Sequence, residues 1–254
     1  VKDRDAGLNL NRDVLQLAGL SSLPGIAHAF ETRQGSLRDT LGLPVARLRQ
    51  VHGATVLRLP ADPRLWDPFL EPEPADRPAG DAIIAAIPGV TLAVAVADCL
   101  PVLIADLEHR AVAAVHCGWR GLAAEVLAAT MHRMSDELGT RPADCYAGMG
   151  PGIGACCYEV GREVIDAFAA VGMAEVALQP SGRRESGKRR PPGGTGIYCN
   201  LPAVAAAQAR QCGIPEQRIF SMDQCTYCNS ERLWSYRMEG SAAGRMLAGI
   251  ALTR

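Results

Sequence analysis

GDAIIAAIPGVTLAVAVADCLPVLIADLEHRAVAAVHCGWRGLAAEVL, residues 80–127, is the stretch on which the fold turns. It holds four short runs rich in Val, Ile and Ala: Ala82–Ile87, Val90–Ala97, Pro101–Ala105 and Ala111–His116. Turn signals separate them at Pro88-Gly89, at Asp98 and at Glu108-His109-Arg110. Runs this short and this continuously apolar predict successive strands of a sheet covered on both faces. The period then changes. Over Gly121–Leu138 the apolar residues fall at Ala123, Leu127, Met131, Met134 and Leu138, which predicts one amphipathic helix with Glu125, His132, Arg133 and Asp136 on its wet face.

Outward from this core the signals thin. Leu201–Gln211 is Ala-rich and predicts a helix ending near Gly213, and Ala242–Leu252 reads as a last helix or strand. Pro60–Gly80 carries six prolines and predicts a loop. Gln179–Gly196, QPSGRRESGKRRPPGGTG, is basic and nearly devoid of apolar residues, so a flexible loop is expected there, a solvated surface first and an anion-binding lid as the other reading. Neither loop has to be a domain boundary. The fold class expected from these elements is α+β, a mixed sheet system flanked by helices.

Composition narrows the function. A chain of 254 residues buries a substantial core as one large domain or two small ones. The formal net charge is −1, so neither nucleic acid nor an anionic membrane is expected as partner. No apolar run reaches the ~18 residues of a membrane span. The charged opening VKDRDAGLNLNRDV lacks the apolar centre of a secretory signal. Nine Cys is an odd number, and Cys99, Cys117 and Cys145 sit in apolar runs where reduced thiols are expected. A cytoplasmic, reducing setting follows as the expectation.

Three short motifs carry the chemistry: QVH at Gln50–His52, DCLP at Asp98–Pro101 and HCGWRG at His116–Gly121. Together they offer His52, Cys99 and His116, a three-ligand set for a tetrahedral ion such as zinc. Structural zinc sites are closed by four protein ligands, whereas catalytic ones leave a position open. Cys99 and His116 are 17 residues apart, a span that a strand, a tight turn and a returning strand can close. The spacing matches neither a zinc finger nor an HExxH helix. On spacing alone, a core cysteine and hydrogen-bonded neutral histidines remain alternatives. Arg120, just ahead of the predicted helix, suits an anion, with local ion pairing as the other reading. Gly150-Pro151-Gly152-Ile153-Gly154 suits either a close ligand approach or a plain turn. Cys225-x-x-Cys228 has no second CxxC to complete a site, so it is expected to be dispensable for metal binding, and Cys156-Cys157 is read the same way.

QVHGATV, the 80–127 stretch, GPGIGACCYEVG and the closing CT…WSYRMEGSAAGR resemble, in the same order, the YfiH-like family from about Ala29 onward. Its members have been described as multicopper polyphenol oxidoreductases or laccase-domain proteins, and also as purine nucleoside phosphorylases with adenosine deaminase activity. The resemblance implies one αββα-type domain over residues 1–254, stacked mixed sheets with outer helices. It implies metal ligation by His52, Cys99 and His116, and it places a family acid on Asp81 and an early Arg motif on Arg33. This chain departs from the family at Met238, where the pattern has a second Arg, at Cys199-Asn200-Leu201, and in a shortened Gln34–Leu43 segment.

The expected activity is therefore zinc-dependent purine nucleoside phosphorolysis of adenosine, inosine and, as a further candidate, methylthioadenosine, with adenosine deamination alongside. Nucleoside and phosphate are the expected partners. Arg33 and Arg120 are candidates for phosphate, and Asp81 and Asp98 for proton transfer or ligand orientation. Copper is the second candidate ion, because His₂Cys also suits a blue-copper centre. A multicopper oxidase needs many more His than the five here and an HxH motif that this chain lacks. A metal-stabilised binding module without turnover is the third reading.

Overall fold

The computed structural model describes residues 14–71, 76–179 and 196–253. Residues 180–195 of the basic segment and 72–75 of the proline-rich one lie outside the described residues. In chain order the strands are β1 (Val14–Leu15), β2 (Ile26–Glu31), β3 (Val45–Ala46), β4 (Val56–Arg58), β5 (Ala82–Ala85), β6 (Thr91–Val96) and β7 (Leu100–Asp106). They continue with β8 (Ala111–Cys117), β9 (Cys145–Met149), β10 (Leu178–Gln179), β11 (Tyr198–Cys199), β12 (Ile219–Ser221) and β13 (Met246–Leu252).

Two mixed sheets stack. One has five strands in the order β1-β2-β13-β6-β3, the other six in the order β12-β9-β7-β8-β5-β4; β10 and β11 form a separate ribbon. The pairings β3·β6, β4·β5 and β12·β9 are parallel and the rest of these two sheets is antiparallel. Side chains alternate across the six-stranded sheet with a period of two. Leu103, Ala105, Val112 and Ala114 meet Phe30, Leu92, Val94 and Ile250 of the other sheet. Val102, Ile104, Ala113 and Val115 face the helices, against Val126, Leu127, Met131, Val204 and Phe168. Both faces of β7 and β8 are dry, which is why their sequence reads as unbroken apolar runs. The outer face of the five-stranded sheet is covered by the short helix Leu37–Leu41, through Leu37 and Leu41 against Ala29 and Ala93. The layer order is helix, sheet, sheet, helix, as the family resemblance implied.

The four expected strands are present with ends shifted by one or two residues. The tail resolves as a strand: β13 lies between β2 and β6 at the centre of its sheet. Leu201–Gln211 is a helix whose first turn is capped by the Asn200 side chain, which accepts the Ala203 N–H. Pro60–Gly80 carries two short 3₁₀ turns, Pro63–Leu65 and Asp67–Phe69, and buries Trp66 and Phe69.

One expectation is corrected. Gly121–Leu138 is not one helix but two, Trp119–Ala123 and Val126–Leu138, broken at Glu125 with φ 57°. The carbonyl of Leu122, which a continuous helix would give to residue 126, accepts the Glu125 N–H and the Gln208 side-chain amide instead. A buried glutamine from another helix thus ends the first segment.

Candidate metal centre

The site forms where the two sheets part. Chain leaves β6 in one sheet, turns at Asp98, and enters β7 in the other; Cys99 is the last residue of that turn. Asp98 holds φ 89°, a backbone conformation that bulky residues rarely adopt. β7 and β8 are antiparallel with Leu100 opposite Cys117 and Pro101 opposite His116, so the turn places Cys99 beside His116. The third member arrives on the segment ahead of β4. Gln50 docks that segment on β6 like a strand partner, accepting the Ala95 N–H at 2.7 Å and donating to the Ala95 carbonyl at 2.8 Å. His52 itself has φ 59°.

The donor atoms of His52, Cys99 and His116 all lie within 4.8 Å of one another. The imidazoles of His52 and His116 meet edge to face, ring centres 4.9 Å apart. Two features show that these residues suit a metal. First, His116 Nδ1 bonds to Asp81 at 2.9 Å, which leaves Nε2 as the free ligand nitrogen. Second, Gly118 leaves space at the centre: a Cβ there would stand 3.1 Å from Cys99 Sγ, 3.5 Å from His52 Cδ2 and 3.8 Å from His116 Cε1.

Asp81 organises the centre. Besides His116, its carboxylate accepts the backbone N–H groups of Val51, His52 and Gly53 at 3.3, 2.9 and 2.7 Å. Burial works against its charge, yet the bonds from His116, Gly53 and His52 outweigh burial and hold the carboxyl below the usual range. Burial likewise opposes charge on Cys99 and His116. Their bonds to each other, with those of Cys99 to His52 and of His116 to Asp81, prevail, lowering the thiol to about 7 and raising the imidazole to about 9. Both shifts favour the charged forms, and a cation bound there would take the place of the imidazolium proton.

Asp98 is used differently. Its carboxylate accepts the Thr226 hydroxyl and the Arg237 N–H at 2.5 and 2.6 Å, which pins the 226–237 segment beside the triad. Burial pushes this carboxyl up, against the bonds from Thr226, Arg237 and Ser235.

The triad opens into a cavity of about 730 Å³, into which Asp98 also faces. Arg47, Arg49, Arg120, Arg237 and Arg245 line it, with Trp119, Tyr158 and Tyr236. Arg120 lies over the Trp119 ring at 4.4 Å. Its helix, Trp119–Ala123, has only five residues, too short for much dipole support to an anion. Arg33 stands apart from this lining. It pairs with Glu239 and covers the Trp234 ring at 3.8 Å.

Of the residues singled out from sequence, His52, Cys99, His116, Asp81, Asp98 and Arg120 come together, and Arg33 does not. Arg47, Arg49, Trp119, Tyr158, Tyr236, Arg237 and Arg245 also line the cavity and were not singled out from sequence as site residues. Arg49 stands three residues before His52 and Arg237 lies in the WSYRM motif, so proximity to motifs was the available signal. The thiols hold a second surprise. Cys156, Cys157, Cys225 and Cys228 gather with their sulfurs within 4.8 Å of one another, so the lone CxxC does have a partner pair.

The chain is similar to known proteins over most of its length. The family model described as multi-copper polyphenol oxidoreductase laccase matches residues 27–253. The chain belongs to this family. It is 35% identical over 174 residues to a protein of Bacteroides thetaiotaomicron named purine nucleoside phosphorylase, covering 68% of this chain and 60% of that one. It is 36% identical over 206 residues to the Escherichia coli purine nucleoside phosphorylase YfiH, covering 81% of this chain and 72% of that one. The crystal structure of Bacillus licheniformis YfiH superimposes with a TM-score of 0.79 over 95% of this chain and 97% of that one, at 22% identity. Among the described residues no helix is long and apolar enough to cross a membrane.

Proposed function

We propose that this chain is a zinc-dependent purine nucleoside phosphorylase acting on adenosine and inosine, with adenosine deamination as a second activity of the same site. The observation that carries the reading is the meeting of His52, Cys99 and His116 at one end of an arginine-lined cavity. Phosphorolysis brings an anion and an aromatic base into one pocket, and guanidines and aromatic rings are the groups that receive them. Relatives 35–36% identical carry that activity in their names.

His52, Cys99 and His116 would hold the zinc through two nitrogens and one sulfur, leaving a position open. Zinc bound there supplies Lewis acidity, which polarises an oxygen on the substrate or on water. Asp81 fixes the His116 tautomer and the 51–53 backbone, and is a positioning residue. Asp98 positions too, because both its oxygens are engaged by Thr226 and Arg237. Arg120 takes the phosphate: its guanidinium has no carboxylate partner among the described residues, and a planar fork matches two phosphate oxygens. Arg49 lines the same cavity. Tyr158 and Tyr236 supply the aromatic lining for the purine, with Arg237 over the Tyr158 ring and Arg245 over the Tyr236 ring.

Copper would fit the same three donors. The remaining histidines do not extend the centre: His28 accepts the Leu17 N–H, His109 pairs with Asp106, and His132 pairs with Asp136. Coupled coppers bound mainly by His have no ligands here, so we do not assign laccase chemistry.

The test pairs zinc analysis with release of free base from adenosine and inosine, with and without phosphate. Phosphate-dependent release that disappears in Cys99→Ser is expected. A folded, zinc-loaded protein that cleaves neither nucleoside would overturn the reading, and loss of fold on chelation would then favour a binding module.

A further inference from the structure

We propose that Cys156, Cys157, Cys225 and Cys228 form a second metal site, a closed tetrathiolate for one structural zinc ion. The distances fit a single ion. Cys228 Sγ lies 3.7 Å from Cys156 Sγ and 3.4 Å from Cys157 Sγ, and all four sulfurs fall within 4.8 Å of one another. A tetrahedron with zinc–sulfur bonds of about 2.3 Å has sulfur–sulfur edges of about 3.8 Å. All four thiols are free of disulfides, and Cys157 and Cys225 are buried. Four soft donors and no open position mark a structural rather than a catalytic ion.

The backbone is arranged for thiolates. The Gly154 N–H donates to Cys225 Sγ at 3.2 Å. A Cβ at Gly154 would stand 3.2 Å from Cys225 Cβ and 3.3 Å from Cys156 Sγ, so only glycine sits there without crowding the cluster. Asn229 donates both its backbone N–H and its side-chain amide to the Cys225 carbonyl, at 3.1 and 2.8 Å. That turn curls the CxxC back on itself and brings Cys225 and Cys228 to one side.

The site has a purpose in the architecture. It joins two segments whose nearest cysteines are 68 residues apart. The first continues from the glycine-rich loop to Tyr158, and the second continues through Thr226 to Tyr236 and Arg237. Tyr158, Tyr236 and Arg237 all line the cavity, whereas none of the four cysteines does. The ion would clamp one wall of the cavity without touching substrate.

The test starts from a variant with the first centre disabled, His52→Ala/Cys99→Ser/His116→Ala, purified under reducing conditions. The parent should hold two zinc equivalents per chain and this variant one. After metal removal, cobalt should give the variant an intense thiolate-to-cobalt absorption, and four thiols should resist a thiol reagent until the ion is withdrawn. Adding Cys225→Ser/Cys228→Ser should abolish that remaining equivalent; if this variant fails to fold, the cobalt spectrum with all four cysteines present decides. A folded first-centre variant that takes up neither zinc nor cobalt overturns the proposal, as does iron or copper as the ion held there. The outcome is separate from the phosphorylase reading, since a protein with two zinc equivalents and no nucleoside cleavage would sink only the latter.

Discussion

Asp81 Oδ1 lies 2.9 Å from His116 Nδ1 and also accepts the His52 N–H at 2.9 Å, so one carboxylate oxygen locks two of the three candidate ligands. Partners of ligand histidines typically contribute 10–100-fold in metal affinity. Asp81→Asn should therefore weaken zinc binding by about that factor, because it removes the charge and presents an N–H to the 51–53 amides. Competition with a chelator measures it. Unchanged affinity would show that the Asp81 bond is incidental to the centre.

Gly118 gives a sharper steric test. Its φ of −72° is open to any residue, so Gly118→Ala should alter fold stability by no more than ~1 kcal/mol. Yet the new methyl would stand 3.1 Å from Cys99 Sγ, between the ligands. Zinc content should fall while the thermal transition stays near that of the parent. A variant with full zinc would place the ion away from Gly118.

Arg120→Lys keeps the charge and loses the fork. A charge-assisted bond contributes ~1.5–3 kcal/mol, so the Michaelis constant for phosphate should rise about 10–100-fold. Deamination of adenosine uses no phosphate and should change much less. Steady-state rates against phosphate concentration decide between them. Equal losses in both reactions would assign Arg120 to the nucleoside or to the fold.

His28 sets an acid limit on stability. It is buried, and its Nε2 accepts the Leu17 N–H at 2.9 Å. Burial pushes its pKa down to about 4 from the ordinary 6.5. Between those values the unfolded chain binds the proton and the folded chain does not, so stability falls as pH falls. The contribution is complete above pH 6.5 and is lost on descent to about pH 4, an effect of ~3 kcal/mol. Urea unfolding at pH 7 and pH 4.5 should show this slope, and His28→Gln should flatten it. Parallel slopes in the two proteins would mean that His28 is protonated in the fold.

The sequence by itself determined the strands of the doubly covered sheet and offered the candidate ligands of the first centre. Continuous apolar runs at β5 to β8 can only be satisfied by a sheet covered on both faces, because each strand turns alternate residues to opposite sides. The QVH, DCLP and HCGWRG motifs offered His52, Cys99 and His116, and the family resemblance implied them as ligands. Local pattern failed where a distant group intervened. The break at Glu125 depends on Gln208, 83 residues further along the chain, taking the Leu122 carbonyl. Arg33 reads from the sequence as a candidate phosphate ligand, and only the fold shows that it pairs with Glu239. The tertiary structure alone decided which arginines share the cavity and which cysteines share a cluster. Spacing in sequence encodes contacts within a strand or a helix, whereas Cys156-Cys157 and Cys225-x-x-Cys228 meet only because Asp98 and the Gly152 backbone bind the 224–237 segment against the sheet edge.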